Sequence, residues 1–451
     1  MTTDWTKEMR GLVGEERVLV SSDQVDKLSK DYYWYSPVLE PLLRDKRAEA
    51  VAVPESEEQV AQLLAVAFRR GIPVTTRGAG TGNYGQAVPL EGGLVLDLSG
   101  LDRVLEFGED YVRVQAGVRL GALEKKLRER GQELRIYPST FMKATVGGFV
   151  CGGSGGIGSI TWGNLWDGNV LEAVAYTMEE TPRRLVIQGP GLRAYIHNYG
   201  TSGILTELKI PVSSKTEWRQ TVAQFDDFES CARFARAVAA DDSIRKRLVA
   251  PVEWPIPSFF RPIVKHLEPG SSACLMEIED GGEDALAAHA AAAGGRIGYV
   301  IPSSQYRAVI GLSDFTWNHT TLWALKADPS FTYLQAGFHP TGFLDQIGSI
   351  KRRFGDEVLM HLEFMRSGGV VVPASLPLVR YTTKERLYEI IAYFRQTGVS
   401  VNDPHTWTLE MGGRGELEEM QAAKRDNDPR GLLNPGKLQM PAGRSVRRAG
   451  A

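Results

Sequence analysis

Apolar residues in the first half of the chain fall into short runs around one clear amphipathic helix. Ala50, Val51, Ala52 and Val53 make a strand that ends at Pro54. Ser56 then caps a helix, and Glu57 and Glu58 suit its positive N-terminal end. Val60, Leu63, Leu64, Ala67 and Phe68 recur at helical spacing and give it one apolar face, and Gly71 ends it. Residues 72–76 form the next strand. The resulting β-α-β unit delivers the following loop at a strand's carboxyl end, where α/β sheets bind ligands. Further on, 94–98 reads as a strand, 104–107 and 111–116 as a hairpin, 120–130 as a charged amphipathic helix, and 170–176 as strand-like. A Gly/Ser turn at 200–208 opens a strand that ends at Pro211. These elements make one compact α+β unit, and a composition shift at 213–216 closes it, giving a domain over 49–214.

The second half reads differently. Strands are expected at 220–225 and 273–279, helices at 227–240 and 283–293, and a proline-rich aromatic stretch at 251–262. Residues 358–364 alternate in the strand pattern, and 384–397 is the last clear helix. Together, 215–400 predicts an antiparallel sheet with helices, suited to a substrate-binding cap. Residues 1–48 read as a polar arm. Within it Tyr32, Tyr33, Trp34 and Tyr35 either cover a cofactor or pack on the domain surface. The basic, small-residue tail 442–451 is expected to be disordered.

At 451 residues the chain is too long for one core, so two domains are the default. A formal net charge of −3 gives no steering toward nucleic acid or an anionic membrane. Cys151, Cys231 and Cys274 form no CxxC pair and no metal spacing, which fits a reduced compartment. No signal-peptide core opens the sequence and no run reaches transmembrane length. These features predict a cytoplasmic chain that does not insert into a membrane.

Two glycine-rich stretches change the picture. Between 138 and 168, Gly147, Gly148, Gly152, Gly153, Gly155, Gly156, Gly158 and Gly163 crowd together. Each costs chain entropy and buries no side chain, so packing does not explain them. A backbone that must approach a ligand and aim its N–H groups at it does, and a pyrophosphate is the usual guest. The second stretch, 77–85, reads RGAGTGNYG. Residues 80–85 match GxGxxG by letter, yet that motif needs a helix directly after it. Here Pro89, Gly92 and Gly93 intervene before a strand, so the match is accidental and any phosphate contact runs through backbone amides. Two such loops suggest one dinucleotide held from two sides; the alternative is a pair of glycine-rich surface loops.

The ordered set RGAGTG, PST…ATVGG…GGSGG…WG, GTSGILTEL and DPRGLLNPGKL resembles the FAD-linked oxidoreductases of the vanillyl-alcohol oxidase / p-cresol methylhydroxylase type, over nearly the whole chain. The resemblance implies an α+β fold: a p-cresol-methylhydroxylase-type FAD-binding domain of two α+β subdomains, an antiparallel-sheet-and-helix cap domain, and a segment over 401–441 returning to the flavin. It is similar above all to the branch of glycolate oxidase D-subunits and D-2-hydroxyacid dehydrogenases, through residues 322–326 (LWALK) and the ending. Two features depart from that branch. Its HxGDGNxH metal motif is missing after residues 360–364 (MHLEF). Its GEHGIG-like segment aligns with 409–412 (LEMG), which keeps Glu410 but has Met411 in place of the His. No metal site is therefore expected.

By that resemblance, the backbone of Gly78, Ala79, Gly80, Thr81, Gly82 and Asn83, with that of Gly147, Gly148, Gly152, Gly153, Ser154, Gly155 and Gly156, cradles the pyrophosphate. The matching motifs add Arg77, Pro138, Ser139, Thr145, Val146, Ile204 and Asn434 to the FAD contacts. Covalent members attach flavin through a His or Cys where Thr81 and Lys143 stand here, so non-covalent FAD is implied. Cys151 is expected to fill a small buried slot. His361 and Glu363 share one face of their strand. They either serve as base, taking the substrate hydroxyl proton as hydride passes to flavin N5, or face solvent. His405, with Trp407 and Glu410, is the alternative polar wall. Lys326 either pairs with a substrate carboxylate as a point charge or is a surface lysine. His319 and His339 are weaker candidates, and His197, His266 and His289 read as structural or exposed.

The function implied is oxidation of an alcohol or 2-hydroxyacid carbon, with electrons passed to an unidentified acceptor or redox partner subunit. The rival is a flavin-binding subunit of a redox complex with little activity alone. A third reading, with NADPH as reductant, finds no second nucleotide site in the sequence.

Overall fold

The computed structural model describes residues 4–306, 308 and 310–440. The tail 442–451 lies outside the described residues. Two sheets support the first half. The first runs in the order Val18–Leu19, Ala50–Ala52, Leu94–Asp97, Val74–Arg77. Its last three strands are parallel, as a β-α-β crossover requires, and Val18–Leu19 joins the edge antiparallel. The crossover helix is Glu57–Arg70. Ser56 accepts a hydrogen bond from the Gln59 N–H at its start, and Gly71 leaves it in the left-handed region at φ 67°. Val60, Leu63, Leu64, Val66 and Ala67 bury its apolar face. Met9 and Val13, on the helix Asp4–Val13, join the same core. The arm is thus helical where it packs. Only Met9 and Val13 are buried apolar side chains on that helix, too few to give a periodic signal.

The second sheet is antiparallel: Val104–Phe107, Tyr111–Gln115, Ile204–Ser214, Glu172–Tyr176 and Arg184–Gln188, with Gln132–Leu134 added along Ile204–Ser214. The long central strand passes through Pro211, expected as its end. Pro211 is the last residue paired with Tyr111–Gln115, and Val212 begins the pairing with Gln132–Leu134, so the missing proline N–H falls between two ladders.

In the second half, Lys246–Val252, Ser272–Glu279, Trp218–Phe225 and Arg296–Ile301 form an antiparallel sheet. The helix Phe228–Ala240 buries its apolar face against it. The stretch 358–364, expected as one strand, divides at Met360 and His361. Val358–Leu359 joins Leu378–Arg380 and Phe331–Tyr333, whereas Leu362–Ser367 joins Val370–Ser375, Gln335–Gly337 and Ser400–Asn402. His361 itself makes an isolated bridge to Val252.

A helix the sequence reading passed over, Leu417–Asn427, follows Lys384–Gln396, and the chain then returns to the first sheet. Leu433 bridges Val74, and the Asn434 side-chain amide donates to the carbonyls of Gln86 (2.9 Å) and Tyr199 (2.8 Å). The two halves meet around a cavity between the glycine-rich stretches and residues 317–335.

Candidate cofactor and substrate site

The cavity, about 180 Å³, is lined on one side by residues 76–84, 138–140, 144–145, 147–149 and 151–155, and on the other by Trp317, Asn318 and Gln335. The loop 78–83 follows the strand Val74–Arg77 directly and no helix follows it. Gly80 sits at φ 62°, and a Cβ there would run into the Arg77 guanidinium, so this position requires glycine. Arg77 is buried beside it and donates to the Lys30 carbonyl at 2.6 Å.

The second stretch is a short helix where a loop was expected. Val146–Gly152 is capped by Thr145, whose Oγ1 accepts from the Gly148 N–H at 3.1 Å. The Gly147 N–H donates to the Ala116 carbonyl, that of Gly153 to Phe149, and that of Gly156 to Ser159 Oγ. Those four amides are committed inside the protein. Among the described residues, the amides of 79–83 and of 154 and 155 donate to no protein group. These converge on the cavity, with Thr76 Oγ1 and Asn83 Nδ2, both buried without a partner. Gln86 ties the two stretches together: its Nε2 donates to the Gly152 carbonyl (2.9 Å) and its Oε1 accepts from the Tyr84 N–H (3.2 Å). Free backbone donors beside a buried arginine fit the pyrophosphate of a dinucleotide.

Of the residues expected to hold FAD, Arg77, Gly78, Ala79, Gly80, Thr81, Gly82, Asn83, Pro138, Ser139, Thr145, Gly147, Gly148, Gly152, Gly153, Ser154 and Gly155 line the cavity. Four lie elsewhere. Val146 and Ile204 are core side chains. Gly156 packs on the Tyr137 carbonyl. Asn434 acts from behind, through the Gln86 and Tyr199 carbonyls.

None of His361, Glu363, His405, Glu410 and Lys326 lines the cavity. His361 and Glu363 are fully buried, with Nε2 and Oε1 2.8 Å apart; neither faces solvent. Burial pushes the Glu363 carboxyl above its usual range, against the pull of His361. Glu363 Oε1 also accepts from the Trp317 N–H at 2.6 Å, so the pair reaches the cavity through the backbone of a residue that lines it. His405 is buried, bonded to Ser36 Oγ at 2.8 Å, and burial holds it down at about 4. Glu410 accepts from the Gln439 N–H. Lys326 is exposed, 4.6 Å from the Trp323 ring centroid.

Several cavity residues carried no signal in the sequence reading. Asp31 accepts from the N–H groups of Tyr33 and Ala87, and burial raises it to about 6. His197, read as structural, donates from Nδ1 to the Gly153 carbonyl at 2.8 Å, and burial lowers it to about 4, so it is neutral. Tyr84 and Tyr199 line the same wall, and the Arg414 guanidinium stacks 3.9 Å from the Tyr84 ring centroid. The backbone offers a local clue that sequence does not. Among the described residues, His197, Tyr199, Trp317 and Asn434 are the non-glycine residues with positive φ. Three of them line the cavity and the fourth braces Tyr199. Strain of this kind, of order 1–3 kcal/mol per residue, collects at functional sites.

Among the described residues no group of three or more His, Cys, Asp or Glu is placed to hold a metal ion, and no helix is long and apolar enough to cross a membrane.

A β-α-β-anchored glycine loop facing a second glycine-rich segment across one cavity is a fold suited to holding a dinucleotide from two sides. Comparison with known proteins agrees. Residues 48–181 match the family described as FAD binding domain. An FAD-linked oxidoreductase of Mycobacterium tuberculosis is 30% identical over 237 residues, 50% of each chain. The glycolate oxidase subunit GlcD of Escherichia coli is 31% identical over 188 residues, 40% of this chain and 38% of that one. A D-lactate dehydrogenase of Anaerostipes hadrus is 31% identical over 180 residues, 37% and 36% of the two chains. The matches thus span about half, or less, of these relatives' length. In structure, an alkyldihydroxyacetonephosphate synthase superposes with a TM-score of 0.73 at 14% identity, over 96% of this chain and 86% of that one, which shows a shared fold. Residues 48–181 thus carry an FAD-binding domain, with FAD as its cofactor, and over the matched stretches the chain is similar to FAD-linked oxidoreductases.

Proposed function

We propose that the protein oxidises the CH–OH carbon of a small alcohol or 2-hydroxyacid and hands the electrons to a separate acceptor. The observation that carries this reading is the convergence, in one cavity, of a cradle of free amides with a polar wall from residues 317–335. In this reading 49–214 holds FAD non-covalently, 215–400 covers its reactive end, and 401–441 closes the site from behind. Bound FAD supplies the two-electron acceptor. The chain's own task is to orient the substrate carbon, exclude water and take the hydroxyl proton. The titratable side chains placed to take it line the cavity: Asp31, Tyr84, His197 and Tyr199. The names of the relatives, a glycolate oxidase subunit and D-lactate dehydrogenases, support a hydroxyacid. The word subunit in one of those names supports a partner protein as the acceptor.

The test is anaerobic bleaching of the flavin's visible band by a panel of primary alcohols and 2-hydroxyacids, followed by turnover with an artificial dye, with and without oxygen. Bleaching by at least one compound is expected. A flavin-loaded protein that no compound bleaches refutes the reading and leaves a flavin-binding subunit that works only with its partner.

A further inference from the structure

Trp317 is the first residue of the second half to reach the cavity, and its backbone is unusual. It stands at φ 53°, ψ −138° ahead of the helix Asn318–Ala327. For a bulky aromatic residue that is a true outlier, held only if the surroundings over-determine it. They do. The Trp317 N–H is fixed on Glu363 Oε1, and the same oxygen takes the His361 Nε2–H at 2.8 Å. His361 is held in turn: its carbonyl accepts from Ser375 Oγ (2.6 Å) and the Leu376 N–H (3.0 Å), and its backbone bridges Val252. Three strand segments therefore pin the Trp317 backbone at the cavity wall.

The side chain on that pinned backbone carries an unmet hydrogen bond. Trp317 Nε1 and Asn318 Oδ1 are both buried without a hydrogen-bond partner, and both residues line the cavity. Leaving a buried polar atom unpaired costs the full penalty of desolvating it, and here two adjacent residues do so at a strained turn. An indole N–H only donates, so its partner must be an acceptor oxygen; a carboxamide both donates and accepts. Together they match a hydroxyl oxygen and its proton.

We propose that Trp317 and Asn318 bind the hydroxyl on the substrate's reacting carbon, and that His361 and Glu363 are positioning residues that fix the Trp317 backbone and so the place from which the indole reaches the cavity. This rests on the reading of the protein as an oxidoreductase acting on CH–OH groups. Trp317 Nε1–H donates to the hydroxyl oxygen, and Asn318 contacts its proton. The buried His–Glu pair sets the geometry without touching substrate.

The experiment uses the FAD-loaded protein and four variants: Trp317→Phe, Asn318→Leu, Glu363→Ala and Glu363→Gln. Flavin content and visible maximum are measured first, then anaerobic bleaching by glycolate, D-lactate and benzyl alcohol. Trp317→Phe and Asn318→Leu keep full flavin content and need about tenfold more substrate for half-bleaching, the effect of one lost hydrogen bond. Glu363→Ala behaves like Trp317→Phe. Glu363→Gln, which retains an acceptor for the Trp317 N–H, stays near wild type. Loss of flavin from Trp317→Phe while wild type still bleaches would overturn the inference and leave the oxidoreductase reading standing. Unchanged half-bleaching concentrations in Trp317→Phe and Asn318→Leu would overturn it too. A wild type that none of the three compounds, nor the wider panel, bleaches removes the reading and the inference with it.

Discussion

A glycine's missing side chain leaves room of two kinds in this cradle. A Cβ on Gly153 would meet the Phe149 ring at 2.7 Å, and Gly153 lies at φ −115°, which any residue adopts. Its need for glycine is internal packing. A Cβ on Gly152 meets only Gln86 Nε2, at 3.2 Å, and Gly152 lines the cavity. The two neighbours therefore separate ligand from fold. Gly152→Val should purify folded and colourless, because its branches project toward the space a pyrophosphate fills. Displacing even two charge-assisted contacts costs roughly 3–6 kcal/mol, or two to four decades of affinity. Gly153→Val should instead yield little soluble protein. A yellow Gly152→Val with full flavin content, judged by absorbance ratio, would mean that the cradle lies elsewhere. Sequence alone named both glycines for the same reason. It showed that the backbone needs room, but the direction of a missing Cβ depends on helix phase, and the helix Val146–Gly152 was itself hidden by its glycines.

At the scale of elements, regular periodicity was legible and interruptions were not. Ser56, the apolar row from Val60 to Ala67, and Gly71 were enough to place Glu57–Arg70 and the β-α-β loop, because cap, stripe and stop all agreed. The strand through His361 looked continuous because alternation survives a change of sheet. Only tertiary pairing divides it, and that division is what turns His361 and Glu363 inward toward Trp317. The return segment was legible by motif. Its mechanical role was not, since it depends on one side chain spanning two loops. Asn434 adopts φ 38° and donates both amide hydrogens, to Gln86 and Tyr199. Asn434→Ala leaves two buried carbonyls unpaired, each at about 1–3 kcal/mol. The variant should lose its flavin in dilute urea well before it unfolds, because Gln86 and Tyr199 both line the cavity. Flavin release and loss of helical circular dichroism are followed in the same titration. Coincident midpoints shifted equally from wild type would show that Asn434 serves only global stability.

Over the whole molecule, folding keeps buried imidazoles neutral, one of them, His197, on the cavity wall. His197 lies on the first half and His405 on the returning segment, and burial lowers both from the ordinary 6.5 to about 4, with the Arg414 charge pushing each the same way. From sequence His197 read as structural or exposed and His405 as a candidate wall of the site; nothing local marks either as buried. The linkage has a definite sign. In the unfolded chain both groups take up protons near pH 6.5, whereas in the folded chain they resist until about pH 4. The unfolded state therefore binds more protons throughout that window, and stability rises with pH across it. Their contribution is fully present above pH 6.5 and is lost as the pH falls toward 4. At about 1.4 kcal/mol per pH unit and per group, the loss is on the order of 3 kcal/mol for each histidine, a large part of ordinary net stability. Urea midpoints of the flavin-loaded protein should fall steeply between pH 6.5 and 4.5. His405→Gln removes one of these titrations while leaving a side chain able to bond Ser36. Whatever its midpoint at pH 7, its slope with pH should be about two-thirds as steep as wild type if His197, His405 and His319, which burial also lowers to about 4, dominate. An identical slope would show that acid unfolding is set by other groups and that His405 is not held neutral by the fold.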